Sequence, residues 1–367
     1  MKLETLRIQN FRTYSEAKLN FSSRLIFFIG ENGEGKTNLL EAISLFSNLK
    51  SFRENTDDEL VKWNENFFYL DCIIKNSDGV KRLEIGFTNQ ETKKKKFKVN
   101  ETDVKNKSDF IGEFKTVIFT PNDLKIVEGG PAERRKFVDY LLSVSDNYYL
   151  NDLLEYNRAL KHRNVLLKNK FSSRKEFLPW NEILSVRGQR IINKRKEFIE
   201  NLKTIFSENL KNLSGGKDEF EIRYIQRVSN PDTYTQALDS SFEIDLRVGH
   251  TTVGIHRDEI FIGKDNKDIE SFASQGQKRS VAISLRTSQF YYVQKITGET
   301  PILLIDDVIR ELDIKRREYF VDLILNSGQA FFTTTDLEGI KDYIGSLDEK
   351  IEVYKVSNGF IEKYESS

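Results

Sequence analysis

A chain with one cysteine cannot close a disulfide on itself, and Cys72 is the only cysteine here. It sits inside the strand-like run Phe67 to Ile74, which gives it a buried apolar role and points to a reducing compartment. Three histidines and no Cys/His cluster leave no zinc site built from protein ligands. Net charge is missing as well: 57 Lys+Arg stand against 57 Asp+Glu. The chain therefore lacks the positive coat of a general nucleic-acid binder, and any such surface is local. No stretch approaches the roughly 18 apolar residues of a membrane span. The alternating, charged start MKLETLRIQNF is not a secretory leader. A soluble, cytoplasmic protein with no membrane contact is expected. Internal repeats and low-complexity tracts are also wanting, apart from Lys93-Lys94-Lys95-Lys96, which reads as a hairpin tip or a charged sheet edge.

Against these absences stands GENGEGKT, Gly30 to Thr37, a complete G-x-x-x-x-G-K-[ST] loop. The apolar run Leu25 to Ile29 precedes it and the helical pattern Asn38 to Ile43 follows. Strand, glycine loop and helix in that order make a phosphate cradle. The glycines turn backbone N–H groups inward on an anion, and the helix presents its positive end. Lys36 reaches the outer phosphates, and Thr37 gives a hydroxyl to Mg²⁺. PILLIDD, Pro301 to Asp307, supplies a second half: an apolar strand ending in two acids. Asp306 is placed to hold Mg²⁺ through water, and Asp307 to orient or deprotonate the attacking water. Two adjacent buried carboxylates are costly unless a cation is near. FASQGQKR, Phe272 to Arg279, precedes another helix, so Ser274 and Gly276 offer a hydroxyl and bare N–H groups at a second positive end. By itself this tetrad also reads as an N-cap. One chain carries one γ-phosphate cradle, so this loop is expected to close over the ATP of a second copy in a head-to-tail homodimer.

A chain of 367 residues has room for two domains or for one large domain with an insertion. Short strands and one helix run to about Pro121, with turn signals such as Asn76 to Gly79 marking hairpins. Helical spacing takes over from Pro131 to about Leu213. After a strand at Phe220 to Gln226 the α/β pattern returns, so the nucleotide domain is split around a helical insertion. Between Lys125 and Gly216 there are 18 Lys+Arg against 11 Asp+Glu. Positive charge is thus segregated onto the inserted helices.

Asn10-Phe11-Arg12, GENGEGKTN, Ser51-Phe52-Arg53, Pro121 to Leu124, Gly130 to Arg135, His256-Arg257-Asp258, Ser274 to Gln277 and Leu304 to Asp307 occur in one order. Together they resemble the RecF family of DNA repair ATPases, from the first residue to about Thr335. The resemblance implies an α/β fold: an ABC-type P-loop ATPase head, a mixed sheet with flanking helices, plus an inserted helical lobe. It is similar to the heads of SMC proteins. The implied boundaries are a head over 1–124, a mainly helical lobe over 125–248, and the rest of the head, with signature loop and acids, over 249–367. It also implies ATP and Mg²⁺ as cofactors, ATP-dependent dimerisation, binding to single-stranded, double-stranded and gap-junction DNA, RecR and RecO as partners, and slow DNA-dependent hydrolysis that acts as a release switch.

Carried over position by position, Arg12 lies near the nucleotide, and Gly30, Glu31, Asn32, Gly33, Glu34, Gly35, Lys36, Thr37 and Asn38 cradle it. Asp306 and Asp307 are the metal-site and catalytic acids. Ser274, Gln275, Gly276 and Gln277 act across the dimer, and Asp313 lies beside its seam. The candidates for DNA backbone contact are Arg134, Arg135, Lys161, Arg163, Arg187, Arg190, Lys194, Arg195 and Lys196. Four departures from the family pattern stand out. Ile255 replaces a usual proline, Arg310 replaces a small residue, Asp307 replaces the longer Glu of many ABC enzymes, and Thr333-Thr334-Thr335 stands where a switch histidine is common. The alternative reading, the nucleotide-binding subunit of an ABC transporter, shares loop and acids. It needs a surface for membrane coupling helices, where this chain offers a basic insertion.

Overall fold

The computed structural model describes residues 1–53, 56–169, 173–228, 231–309, 312–335 and 351–364. Two units divide it: Met1–Asp123 with Gln289–Ser367, and Leu124–Ser288.

In the first unit, alternating and continuous apolar runs build two different sheets. The alternating strands β1 (Lys2–Phe11), β2 (Tyr14–Asn20), β4 (Phe67–Asn76), β5 (Gly79–Thr88), β6 (Lys94–Val99) and β7 (Thr102–Asp103) form an antiparallel sheet in the order β2-β1-β4-β5-β6-β7. Its turn signal at Asn76 to Gly79 closes the β4–β5 hairpin. Cys72 lies fully buried on β4. The lysine run is more than a solvated edge, since Lys95 Nζ reaches Asp57 at 2.5 Å and the Leu49 carbonyl at 2.8 Å.

The continuous runs β3 (Leu25–Ile29), β8 (Thr116–Phe119), β12 (Ile302–Asp306) and β13 (Ala330–Thr334) pair in parallel, as strands covered on both faces do, and the more polar β14 (Ile351–Ser357) pairs in parallel with β3. With β15 (Phe360–Tyr364) antiparallel at one edge, the order is β15-β14-β3-β13-β12-β8. Helix α1 (Lys36–Asn48) lies between the sheets. Its Leu39, Leu40, Ile43 and Phe46 join Leu6, Ile8 and Leu70 of one sheet and Ile26, Phe28, Leu304 and Phe331 of the other in one core. The helix is buried on nearly every side, its Glu41, Ser44 and Ser47 included. Phe27 stacks on Phe332 at 4.5 Å across β3 and β13, which holds the two strands that flank the cradle in register.

The second unit holds α2 (Leu124–Glu128), α3 (Pro131–Ser145), α4 (Asn147–Lys168), α5 (Leu178–Ser214), β9 (Glu221–Ile225), α6 (Pro231–Ser240), α7 (Phe242–Val248), β10 (Glu259–Lys264), β11 (Lys267–Asp268), α8 (Ile269–Phe272) and the start of α9 (Gln275–Thr297). α10 (Ile314–Leu325) belongs to the first unit. The lobe expected to end at 248 runs on to Ser288. β10 pairs with β9 in a three-stranded sheet among the described residues, and Arg195 of α5 donates to the Ile255 carbonyl at 2.9 Å. These bonds draw residues 249–288, the Ser274 loop included, into the second unit. Among the described residues no helix is long and apolar enough to cross a membrane.

Candidate nucleotide site

The loop after β3 folds as its glycines require. Gly33 has φ 88° and Gly35 φ 107°, conformations that cost a residue with Cβ roughly 1–2 kcal/mol. A Cβ on Gly30 would stand 2.2 Å from the Val356 carbonyl oxygen. The loop is clamped from outside as well, because Tyr14 Oη donates to the Gly35 carbonyl at 2.9 Å. Lys36 Nζ donates to the Gly30 and Glu31 carbonyls at 2.6 and 2.7 Å. Burial holds its ammonium below the usual lysine range, while Asp307, Asp306, Glu31 and Glu34 pull the other way.

Strand β13 lies between β3 and β12, so its end reaches both the loop and the acids. Thr37 Oγ1 donates to Asp306 Oδ1 at 2.8 Å, and Thr333 Oγ1 donates to the same oxygen at 2.7 Å. Thr333 Oγ1 also accepts the Asp307 N–H at 3.1 Å. Burial raises the Asp306 carboxyl above its ordinary range, and the two hydroxyls and Arg53 oppose it. Asp307 stands at φ 51°, and its Oδ1 is buried with no hydrogen-bond partner. A buried orphan carboxylate oxygen is expensive unless something comes to meet it. Asp307 is among the residues that line a cleft of about 290 Å³, with Asn32, Gly33, Gly35, Lys36, Thr37, Asn38, Arg53, Asp306 and Thr333. Among the described residues no three His, Cys, Asp or Glu side chains gather as a metal cage. Thr37 and Asp306 therefore suit a cation that arrives with oxygens of its own, as Mg²⁺ does on a triphosphate.

Arg12 does not line the cleft: its Nε and Nη2 form a fork on buried Glu41, both at 2.8 Å, and Nη1 donates to the Glu59 carbonyl. The guanidinium in the cleft is that of Arg53, which joins Lys36 there and donates to Asn38 Oδ1 at 3.1 Å. The Ser51-Phe52-Arg53 pattern marked it without giving it a role. Thr333, which stands where a switch histidine is common, joins both acids through its hydroxyl. Asp313 accepts the Arg316 N–H at 3.0 Å as the N-cap of α10. Arg310 lies outside the described residues. Asn106-Lys107-Ser108-Asp109 satisfies the N-K-x-D pattern by which small GTPases read guanine. It closes on itself, Asn106 Nδ2 to Asp109 Oδ2 at 3.3 Å, and lines no part of the cleft.

In the second unit, Ser274 and Gln277 cap the start of α9 reciprocally. The Ser274 N–H donates to Gln277 Oε1 at 3.0 Å, and the Gln277 N–H to Ser274 Oγ at 3.3 Å. Gln275 and Gln277 donate onward to Glu128 and Asp218. Gly276 and its neighbours remain near the surface.

The nine proposed DNA contacts differ in burial and in pairing. Arg163 is 0% exposed and donates to Asp245, Thr251 and Asn181. Arg195, 1% exposed, forks on Asp139, and Arg134, 3% exposed, forks on Asp268. Arg135 donates to the Asp258 carbonyl at 2.7 Å. Arg134, Arg163 and Arg195 hold the lobe together and present no guanidinium to an outside phosphate. Arg187, Arg190 and Lys194 line a cleft of about 460 Å³ and face Asp152, Glu155 and Asp146 across it. Lys161 and Lys196 are exposed. At Ile255 the departure from proline is used, since its N–H donates to Tyr234 Oη at 3.2 Å, which a proline cannot do.

Comparison with known proteins gives one consistent result. The family model described as RecF/RecN/SMC N terminal domain matches residues 2–362. A protein of Leptospira interrogans serogroup Icterohaemorrhagiae serovar Lai, named DNA replication and repair protein RecF, is 51% identical over 362 residues, 99% of each chain. A solved structure of the recombination mediator protein RecF with ATP in the RecFOR pathway superposes with a TM-score of 0.90 at 33% identity, covering 99% of this chain and 97% of that one. An Smc head domain from Pyrococcus furiosus shares the fold, with a TM-score of 0.54 at 19% identity over 99% of this chain and 95% of its own.

Proposed function

The chain belongs to the RecF family, and on that premise we propose that it is an ATP-dependent DNA-binding protein of recombinational repair and replication. Its ABC-type head binds ATP, and two copies close over the nucleotide on DNA. The observation that carries this reading is the composite of Lys36, Thr37, Asp306, Asp307 and Thr333 around one cleft at the ends of three adjacent parallel strands. A relative with this fold is described with ATP.

Thr37 and Asp306 would hold Mg²⁺, which supplies positive charge between the outer phosphate oxygens. Lys36, released from the Gly30 and Glu31 carbonyls, binds those phosphates, and Arg53 adds a second cation. Asp307 orients a water through the oxygen that has no other partner. Its backbone is fixed by Thr333. A shorter carboxylate than Glu at this position favours slow turnover, which suits a weak DNA-dependent ATPase that serves as a release switch. The second unit meets single-stranded, double-stranded or gapped DNA through Lys161, Lys196 and the basic side of the Arg187–Arg190–Lys194 cleft. RecR and RecO are the partners for recombinase loading. The Ser274 cap holds its loop ready for the partner copy's nucleotide, and Asp313 borders that seam.

Sedimentation with and without ATP and DNA tests the reading on the intact chain, Lys36→Met and Ser274→Arg. ATP is expected to shift the intact chain to a dimer that binds DNA more tightly, and both variants to stay monomeric. An intact chain whose association and DNA binding ignore ATP would defeat it.

A further inference from the structure

Two exposed aromatic residues each follow a residue that touches one turn beside the phosphate cradle: Trp63 is 86% exposed and Phe360 76%. Exposed apolar residues scattered singly need no explanation, but these two are carried on backbone pinned to one place. The turn between β1 and β2 holds Arg12, at φ 54°, and Thr13. Lys62, the residue before Trp63, donates its Nζ to the Thr13 carbonyl at 3.1 Å and its N–H to the Asn10 carbonyl at 2.9 Å. Gly359, the residue before Phe360, comes so close to Thr13 that an added Cβ would lie 2.6 Å from the same carbonyl oxygen. The preceding Asn358 N–H donates to the Glu34 carboxylate of the cradle.

Thr13 in turn touches the cleft. Asn38 Nδ2 donates to Thr13 Oγ1 at 3.2 Å, and Asn38 is part of the cleft lining. The acids set the direction of a bound triphosphate. Asp306, carrying the Thr37 hydroxyl, and Asp307 mark the terminal-phosphate end. The opposite margin, at Asn38 and Thr13, is where the first phosphate leaves the cradle and the sugar and base begin. Nothing polar from Trp63 or Phe360 is needed there, because a nucleobase presents a flat π-face that aromatic rings bind by stacking.

We propose that Trp63 and Phe360 form the nucleobase platform of the site, Trp63 as the stacking surface and Phe360 as the flank. The assignment rests on the triphosphate reading above and extends it from the phosphates to the base. Stacking is tolerant of hydrogen-bond pattern, so this platform selects for ring area rather than for adenine alone.

The chain has two tryptophans, and Trp180 stacks on His162 in the second unit. A Trp180→Phe background therefore leaves Trp63 as the one indole emitter. That protein is titrated with MgATP and, separately, with magnesium tripolyphosphate, which fills the cradle but has no base. ATP is expected to quench Trp63 and tripolyphosphate to leave it unchanged. By calorimetry on otherwise wild-type protein, Trp63→Ala should weaken ATP about 5- to 150-fold, the span of a single base–aromatic stack, and leave tripolyphosphate binding as it was. Phe360→Ala should act in the same direction with a smaller factor. Unquenched emission at saturating ATP, wild-type ATP affinity in Trp63→Ala, or an equal loss for both ligands would each overturn the platform while sparing the cradle. If the intact protein binds neither ligand, the triphosphate reading fails and the platform with it.

Discussion

Thr333 donates its hydroxyl proton to Asp306 across 2.7 Å and takes the Asp307 N–H on the same oxygen at 3.1 Å. Replacing it with valine keeps the shape and removes both bonds. Thr333→Val should lose about 1–3 kcal/mol of stability, the cost of stranding a buried polar group, and slow hydrolysis much more than it weakens ATP binding. Thr333→Ser should keep all three properties. Denaturant melts, calorimetric ATP affinity and single-turnover hydrolysis separate these effects, and a valine variant that hydrolyses at the wild-type rate would remove Thr333 from the positioning of the acids.

The lobe's arginines should divide by burial. Arg163→Ala strands the fully buried Asp245 and should cost about 3–5 kcal/mol of lobe stability, and Arg195→Ala, whose partner Asp139 is 20% exposed, should cost less. Lys161→Ala and Lys196→Ala should leave the melting curve in place. Each that meets a phosphate should lower the salt slope of DNA affinity by about 0.9. The check is to run melts and DNA titrations at several salt concentrations on the same four variants.

His256 should make the second unit acid-sensitive. Its Nε2 faces the Thr251 carbonyl at 3.0 Å, so that nitrogen carries the proton, and Nδ1 accepts from Tyr156 Oη at 3.0 Å. Burial pushes its pKa down to about 4; the Thr251 carbonyl and Asp245 resist, and Arg257 and Arg135 assist. The unfolded chain, with an ordinary imidazole near pH 6.5, binds the proton more readily. This contribution is therefore whole above about pH 6.5 and falls away as the pH drops from there toward 4. In His256→Gln that part of the slope of stability against pH should vanish between pH 6.5 and 4, while steeper losses at lower pH, from carboxylates such as Glu352, should remain.

Gly30→Ala sets a methyl group against the Val356 backbone, which cannot swing aside as a side chain can. The loss should reach or exceed the upper part of the roughly 1–3 kcal/mol range for overpacking. Gly33→Ala meets open space, and only its φ of 88° is strained, so roughly 1–2 kcal/mol should suffice. Parallel thermal melts of the two variants would show the difference, and equal losses would mean that β14 yields at Val356.

The cradle and its acids were legible because each is a local statement. GENGEGKT and PILLIDD carry their own strand and turn, and those strands fall where the apolar runs do. The partners of the lobe cations were not legible, since Arg195 and Asp139 are 56 residues apart and Arg163 and Asp245 are 82 apart. A charge count cannot tell a cation folded inward from one facing water. The same holds for Arg12: its motif was plain, but Glu41, which consumes it, reads as one more helix acid. β2 and β15 went unread because Tyr14–Asn20 is mostly polar and Phe360–Tyr364 is short and mostly exposed, and pairing with β1 and β14 defines them as strands.

One strand, β13, separates the loop strand β3 from the acid strand β12. Neighbouring strands sit roughly 4.8 Å apart, so the distance between the two halves of the site is counted in whole strands and is not a matter of side-chain length. Point substitutions can change how firmly the ligand is gripped, but the gauge of the cleft is fixed by topology. A single interposed strand sets it to the span of a terminal phosphate and its cation, whatever base lies at the far end.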